Sequence, residues 1–93
     1  MSGNKPYKVE YLTSVIDEDI SKLNKKIKLM IKRAIEKQLM LDPIGFGKPL
    51  RYSLKGHRRL RVSNYRVVYR INANSNVILI VAIKHRKEIY EKL

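Results

Sequence analysis

The stretch HRRLRVSNYRVVYRI, residues 57–71, spaces its arginines so that three of them can share one surface. If Ser63-Asn64 is the two-residue turn of a β-hairpin, Val62 pairs with Tyr65 and Arg61 falls directly opposite Arg66. Arg59 lies two residues before Arg61 and takes the same face. Like charges placed opposite one another destabilise a sheet, so water must screen these or an anion must bridge them. Guanidinium groups grip phosphate oxygens bidentately. The hairpin therefore reads as half of a phosphate site.

Groups that can move protons lie at the ends of the neighbouring strands. His57 opens the hairpin, and His85 follows the last strand between Lys84 and Arg86, with Tyr90 one helical turn further on. Metal ligation has no visible basis: there is no cysteine, no HxxxH, and no Asp or Glu from Pro43 to Lys87. A metal-dependent nuclease would need such carboxylates. Nor is there a phosphate-cradling GxxxxGK[ST] loop, and the GFG at 45–47 is too short a signal for a nucleotide site. No cofactor and no metal are expected.

RNA cleavage is chemistry that needs neither. The 2′-hydroxyl beside each scissile phosphate is a built-in nucleophile. A protein accelerates its attack by holding the nucleotide in line, placing cations on the developing charge and handling protons. Tyrosine stacking on a base can fix the orientation.

The whole chain favours an anionic partner. Its 93 residues suit a single domain, 1–93, and carry 21 Lys and Arg against 8 Asp and Glu, a formal charge of +13. All the acids lie at position 42 or before, or at 88 or after. A one-sign block in a folded segment points to nucleic acid, an acidic protein or a membrane surface. The longest apolar run, Val77 to Ile83, is far too short to span a bilayer, and no signal-peptide pattern appears at the N-terminus. A soluble cytoplasmic protein with no membrane partner is expected.

The elements that must position these residues follow from periodicity. PYKVEYL alternates as a half-buried strand over 6–12. A helix is predicted from Thr13 or Ser14, either able to cap it, with Asp17, Glu18 and Asp19 near the positive end of its dipole. Ile16, Ile20 and Leu23 form its apolar stripe, and Asn24 allows a break. Residues 25–41 repeat Ile27, Met30, Ile31, Ala34, Ile35 and Leu39 at helical spacing, with Met30 as core filling. Asp42-Pro43 stops that helix, and glycines and prolines mark a loop over 45–49.

Strands follow at about 58–62, 65–72 and 77–84, with the apolar VILIVAIK predicted as a central strand covered on both faces. A short terminal helix is predicted over 87–92. The resulting α+β domain places two helices on one face of a mostly antiparallel four-stranded sheet, in the order β-α-α-β-β-β. Leu60, Val62, Tyr65, Val67, Tyr69 and Ile71 point to the helices. Arg59, Arg61, Arg66, Val68 and Arg70 point to an open face.

The run LKGHRRLRVSNYRVVYRI followed by VILIVAIKHRKEIY resembles the RelE group of toxins in the RelE/ParE superfamily. The likeness covers nearly the whole chain, including the element order. It implies a RelE-like fold and an endoribonuclease, an mRNA interferase that enters the ribosomal A site and cuts the bound message through the RNA 2′-hydroxyl. Carried onto this chain, the second-strand cations are Arg59 and Arg61, the arginine of the YR pair is Arg66, a later arginine is Arg86, and a terminal tyrosine is Tyr90.

Prototype members have lysines on the second strand where this chain has arginines. Arginine is a poor base, so proton abstraction falls to His57, His85 or Lys84. Lys55, Arg58, Arg70 and Lys87 are expected to contact RNA around this site. A toxin of this kind implies mRNA on the ribosome as target and an acidic, partly disordered cognate antitoxin as partner. The same fold serves ParE-type inhibitors of DNA gyrase, and a non-catalytic RNA- or ribosome-binding homologue would keep the same basic face.

Overall fold

The computed structural model, which describes residues 7–51 and 55–88, opens with the expected strand as β1, Lys8–Tyr11. A helical segment over 13–22 follows at once. Its first turn is closed by the Leu12 carbonyl, which accepts from the Val15 and Ile16 N–H groups. Ser14 is already helical and makes no side-chain cap, so the capping role expected of Thr13 or Ser14 is not used. The turn over Val15–Asp19 is wider than an α-turn, with a tighter one over Ile20–Lys22. That widening rotates the inward face. Val15 and Leu23 are buried, whereas Ile16, expected in the apolar stripe, is 52% exposed.

Asn24 does more than permit a break. Its side chain accepts from the Ile27 N–H at 2.9 Å and caps α1, Lys25–Ala34, which continues as a wider turn over Ile35–Leu39. Ile31, Ile35 and Leu39 reach the core from this run. Met30 lies on the margin of the stripe and is exposed rather than core filling. Asp42 then accepts from the Gly45 N–H and starts a four-residue helix, α2, Pro43–Phe46, inside the stretch expected to be loop.

Five strands form the sheet instead of the expected four. The extra one is β2, Lys48–Pro49, which pairs antiparallel with the start of β3, Arg58–Val62. β4, Tyr65–Asn72, and β5, Val77–His85, complete it. The order is β1-β5-β4-β3-β2, with β1 parallel to β5 and every other pair antiparallel. β5 is internal as expected, paired with β1 on one side and β4 on the other, but only its helix-facing residues are fully buried; β4 is the middle strand. The helices cover one face, where Val15, Leu23, Ile31, Ile35 and Leu39 meet Leu60, Val62, Val67, Tyr69, Ile78, Ile80 and Ile83. Burying such aliphatic side chains contributes about 1.5–3 kcal/mol each. Among the described residues no helix is long and apolar enough to cross a membrane.

Candidate functional site

The β3–β4 hairpin has the expected register: Val62 pairs with Tyr65 and Arg61 with Arg66 across a Ser63-Asn64 turn. Ser63 adopts φ 55°, the left-handed conformation that the first central residue of such a turn requires. The pairing extends into β5, where Lys84 lies opposite Arg66. Cross-strand partners share a face, so Arg61, Arg66 and Lys84 form a row across three strands.

A bulge puts Lys84 there. Val68 pairs with Ala82 but Tyr69 with Ile80, so Val81 is an extra residue without an opposite number. One extra residue reverses the alternation of everything beyond it. Ile78 and Ile80 face the helices before the bulge, and Ile83 does so after it. The Lys84 backbone position consequently passes to the arginine face, while its ammonium reaches round the β5 edge to Asp19 of the helical layer.

The row is less open than the sequence suggested. Arg66 is 3% exposed and Val68 4%, because both sit on the middle strand between flanking neighbours. A buried guanidinium requires polar partners, and Arg66 Nη1 donates to the Tyr65 carbonyl at 3.5 Å. Arg61 is exposed and Arg59 half-buried. Lys48, which the sequence did not single out, lies opposite Arg59 and adds a cation to this face.

Asp19 fixes the far end of the row. β1 runs alongside β5 only as far as Ile80, and among the described residues no strand pairs with the next part of that edge. The Asp19 carboxylate takes the place of one: it accepts from the Ile83 N–H at 2.9 Å and from Lys84 Nζ at 2.5 Å. Its hydrogen bond, with its charge, raises the Lys84 pKa against the opposing effect of desolvation. Lys84 is thus held as an ammonium, suited to stabilising charge or giving a proton and poorly suited to abstracting one.

His85 and Arg86 lie at the same end of the sheet. His85 pairs with Tyr65 on the helix face, its ring edge-on at a centroid distance of 5.3 Å, and its Nδ1 accepts from the Lys87 N–H. It therefore sits at the strand end, on the opposite face from the row. The Arg86 N–H donates to the Asn64 carbonyl at 2.8 Å, tying the exposed Arg86 to the β3–β4 turn beside Arg61. Lys87 is exposed on the helical turn that begins there, at 86–88. Tyr90 and the remainder of the predicted terminal helix lie outside the described residues.

The other candidates are at the opposite end. Leu50 N–H donates to the His57 carbonyl, extending the β2–β3 ladder and putting His57 on the face of Arg59. His57 is four residues from Arg61, about 13 Å along the strand, and its buried Nδ1 has no hydrogen-bond partner among the described residues. Lys55 is exposed beside Gly56, and Arg70 is exposed near the end of β4. Arg58, expected to touch RNA, faces the helices instead. One of its terminal nitrogens donates to the Ile44 and Gly47 carbonyls, both at 2.8 Å. Tyr69 donates to the Pro43 carbonyl in the same corner, and burial pushes its hydroxyl pKa up despite the Arg58 guanidinium. These bonds hold α2 and the loop after it against the sheet.

The arrangement gathers Arg61, Arg66, Lys84 and Arg86 at one end, with Arg59 and Lys48 further along. Guanidinium groups in such a set can bind phosphate oxygens, with a protonated amine at its end. Among the described residues no three His, Cys, Asp or Glu side chains cluster as a metal site would require. Asp19 and the bulge were not foreseen, because a carboxylate near a helix start and a run of aliphatics carry no signal of either.

The model of the family described as "ParE toxin of type II toxin-antitoxin system, parDE" matches residues 11–90. The chain belongs to the RelE/ParE superfamily of toxins. Toxin RelG of Mycobacterium tuberculosis is 32% identical over 87 residues, covering 94% of this chain and 99% of RelG. Toxin RelE of the same organism is 33% identical over 90 residues, covering 97% and 92%. Among solved structures, the RelBE2 toxin–antitoxin complex of M. tuberculosis superposes with a TM-score of 0.81 at 32% identity, over 87% of this chain and 92% of that one. An archaeal RelE–RelB complex from Pyrococcus horikoshii gives 0.67 at 24% identity, over 88% and 97%, a likeness of fold. The chain is thus a RelE/ParE-family toxin of the type II toxin–antitoxin class.

Proposed function

We propose that this toxin is a metal-independent endoribonuclease that cuts mRNA in the ribosomal A site, with the RNA 2′-hydroxyl as nucleophile. The observation that carries this reading is the row of Arg61, Arg66 and Lys84 across three strands, with Arg86 tied to the same turn. The 2′-hydroxyl gives its proton to solvent water as its oxygen attacks the adjacent phosphorus. The bond to the 5′-oxygen breaks, leaving a 2′,3′-cyclic phosphate, and the 5′-oxygen leaves as a hydroxyl with a proton from Lys84, which regains one from solvent. Arg61 and Arg86 hold the non-bridging oxygens as their charge grows, and Arg66 backs them from the middle strand. Lys84, kept protonated by Asp19, supports the leaving oxygen. Cations placed beforehand on developing charge contribute most where water is excluded. Tyr90 follows Arg86 closely enough in the chain to stack on a base.

The acid-free stretch from Pro43 to Lys87 suits an acidic antitoxin as partner, in keeping with the RelB-bound RelE structures. Cytoplasmic action follows from a ribosomal target. The match to the ParE model supports a second reading, inhibition of DNA gyrase. One pair of assays separates them. Incubation with mRNA-programmed ribosomes should give a cut within the A-site codon, while gyrase supercoiling proceeds unaffected. Intact mRNA together with blocked supercoiling would reverse the assignment.

A further inference from the structure

The face that carries the arginine row also holds an open groove of about 650 Å³ at its other end, beside the β4–β5 turn. Its walls include Glu10, Arg70, Leu79, Asn74 and Ser75. The register explains why these residues meet. Leu79 pairs with Glu10 on one side and with Arg70 on the other, so the three form a second cross-strand row. Val9 and Tyr11 pack on the core, which turns Glu10 to the outer face. The row thus sets a carboxylate and a guanidinium on either side of an apolar floor. Arg70 stands four residues from Arg66 on the same strand and the same face, about 13 Å away.

A carboxylate is out of place in a site for phosphate alone. It is an acceptor only, and on a cationic RNA-binding face its natural partner is a base edge that offers donors. Guanine presents two parallel donors, N1–H and N2–H, on its Watson–Crick edge, matching the two oxygens of one carboxylate. Adenine and cytosine present a single amino group there, and uracil one imide N–H. Unpaired RNA bases are read on that edge and stacked on flat or apolar surfaces. A backbone running from the Arg61–Arg66–Lys84 row would meet Arg70 as it reached the groove.

We propose that this groove is a guanine subsite of the RNA-binding face, in which Glu10 accepts from N1–H and N2–H, Leu79 supports the ring, and Arg70 holds the adjoining phosphate. The inference rests on the RNA reading of this face and adds a preference to it. The probe is a short single strand with 2′-O-methyl sugars, which binds without being cut. Strands differing by one guanine or adenine are titrated against wild type, Glu10→Gln and Arg70→Ala.

The guanine strand should bind wild type about tenfold more tightly, the size of one good bidentate base contact. Glu10→Gln should remove most of that preference while binding the adenine strand at least as well as wild type. Arg70→Ala should weaken both strands alike. Equal wild-type affinity for the two strands, or a preference that survives Glu10→Gln, would overturn the proposal and leave the groove to a protein contact. Cleavage by wild type without guanine preference would sink the subsite alone. Guanine preference without cleavage would sink the nuclease reading alone.

Discussion

Single residues around the hairpin divide between chemistry and scaffold, and side-chain type alone does not tell them apart. Arg58 and Arg59 are adjacent, yet Arg58 holds backbone carbonyls while Arg59 stays with the cationic face. Arg58→Ala should lower stability by about 2 kcal/mol, since two charge-assisted bonds are lost, and leave the salt dependence of RNA binding unchanged. Arg61→Ala should do the reverse, flattening the slope of log affinity against log salt by about 0.7. Denaturant melts and salt titrations of both variants check this. Gly47 is as constrained as Arg58: a Cβ there would lie 1.7 Å from the Tyr69 hydroxyl. Gly47→Ala should therefore cost about 2 kcal/mol or more in denaturant unfolding, by displacing the Tyr69–Pro43 bond. Ser63 is held at a left-handed φ, so Ser63→Gly should leave the midpoint unchanged or raise stability by up to about 1 kcal/mol.

At the scale of elements, most strand and helix positions were legible, as were the two hairpins joining β3, β4 and β5, whereas the parallel β1–β5 pair and the β2–β3 pair were not. Alternation of apolar residues located β3, β4 and β5 to within a residue, and the Ser63-Asn64 turn was enough to set the Arg61–Arg66 register. Two features escaped for a common reason. The Val81 bulge and the short β2 strand depend on contacts between distant segments, and neither a run of aliphatics nor Lys48-Pro49 advertises them. The same holds for Asp19, which looked like a helix-dipole acid and serves as the missing edge partner of β5. Asp19→Ala should strand the Ile83 N–H and cost about 2 kcal/mol, whereas Asp19→Asn, which can still accept, should cost less. The pair also sets an alkaline limit. Because Asp19 raises the Lys84 pKa, its stabilisation is complete below the ordinary lysine value of about 10.4. It fades only as pH climbs through the higher folded value. A pH series of melts should show a smaller alkaline loss in Asp19→Asn than in wild type, the remainder coming from Tyr69, whose buried hydroxyl also costs stability once the unfolded chain can ionise.

Over the whole molecule, helices occupy one face of the sheet, and the other face keeps cations at one end and a groove at the other. The acid-free block from Pro43 to Lys87 builds most of the sheet, so charge segregation in the sequence becomes a charged surface in the fold. That segregation was legible from composition. The burial of Arg66 was not, because nothing in YRVVYR indicates that β4 is the middle strand.

The nuclease reading is tested most directly by single-turnover cleavage of mRNA on programmed ribosomes, comparing an all-ribose message with one carrying a 2′-deoxy substitution at the scissile nucleotide. Wild type should cut the all-ribose message to a 2′,3′-cyclic phosphate and leave the substituted one whole. Arg61→Ala and Arg86→Ala, checked for folding, should each slow the cut about a hundredfold. Equal cutting of both messages, or full activity in both variants, would contradict the account.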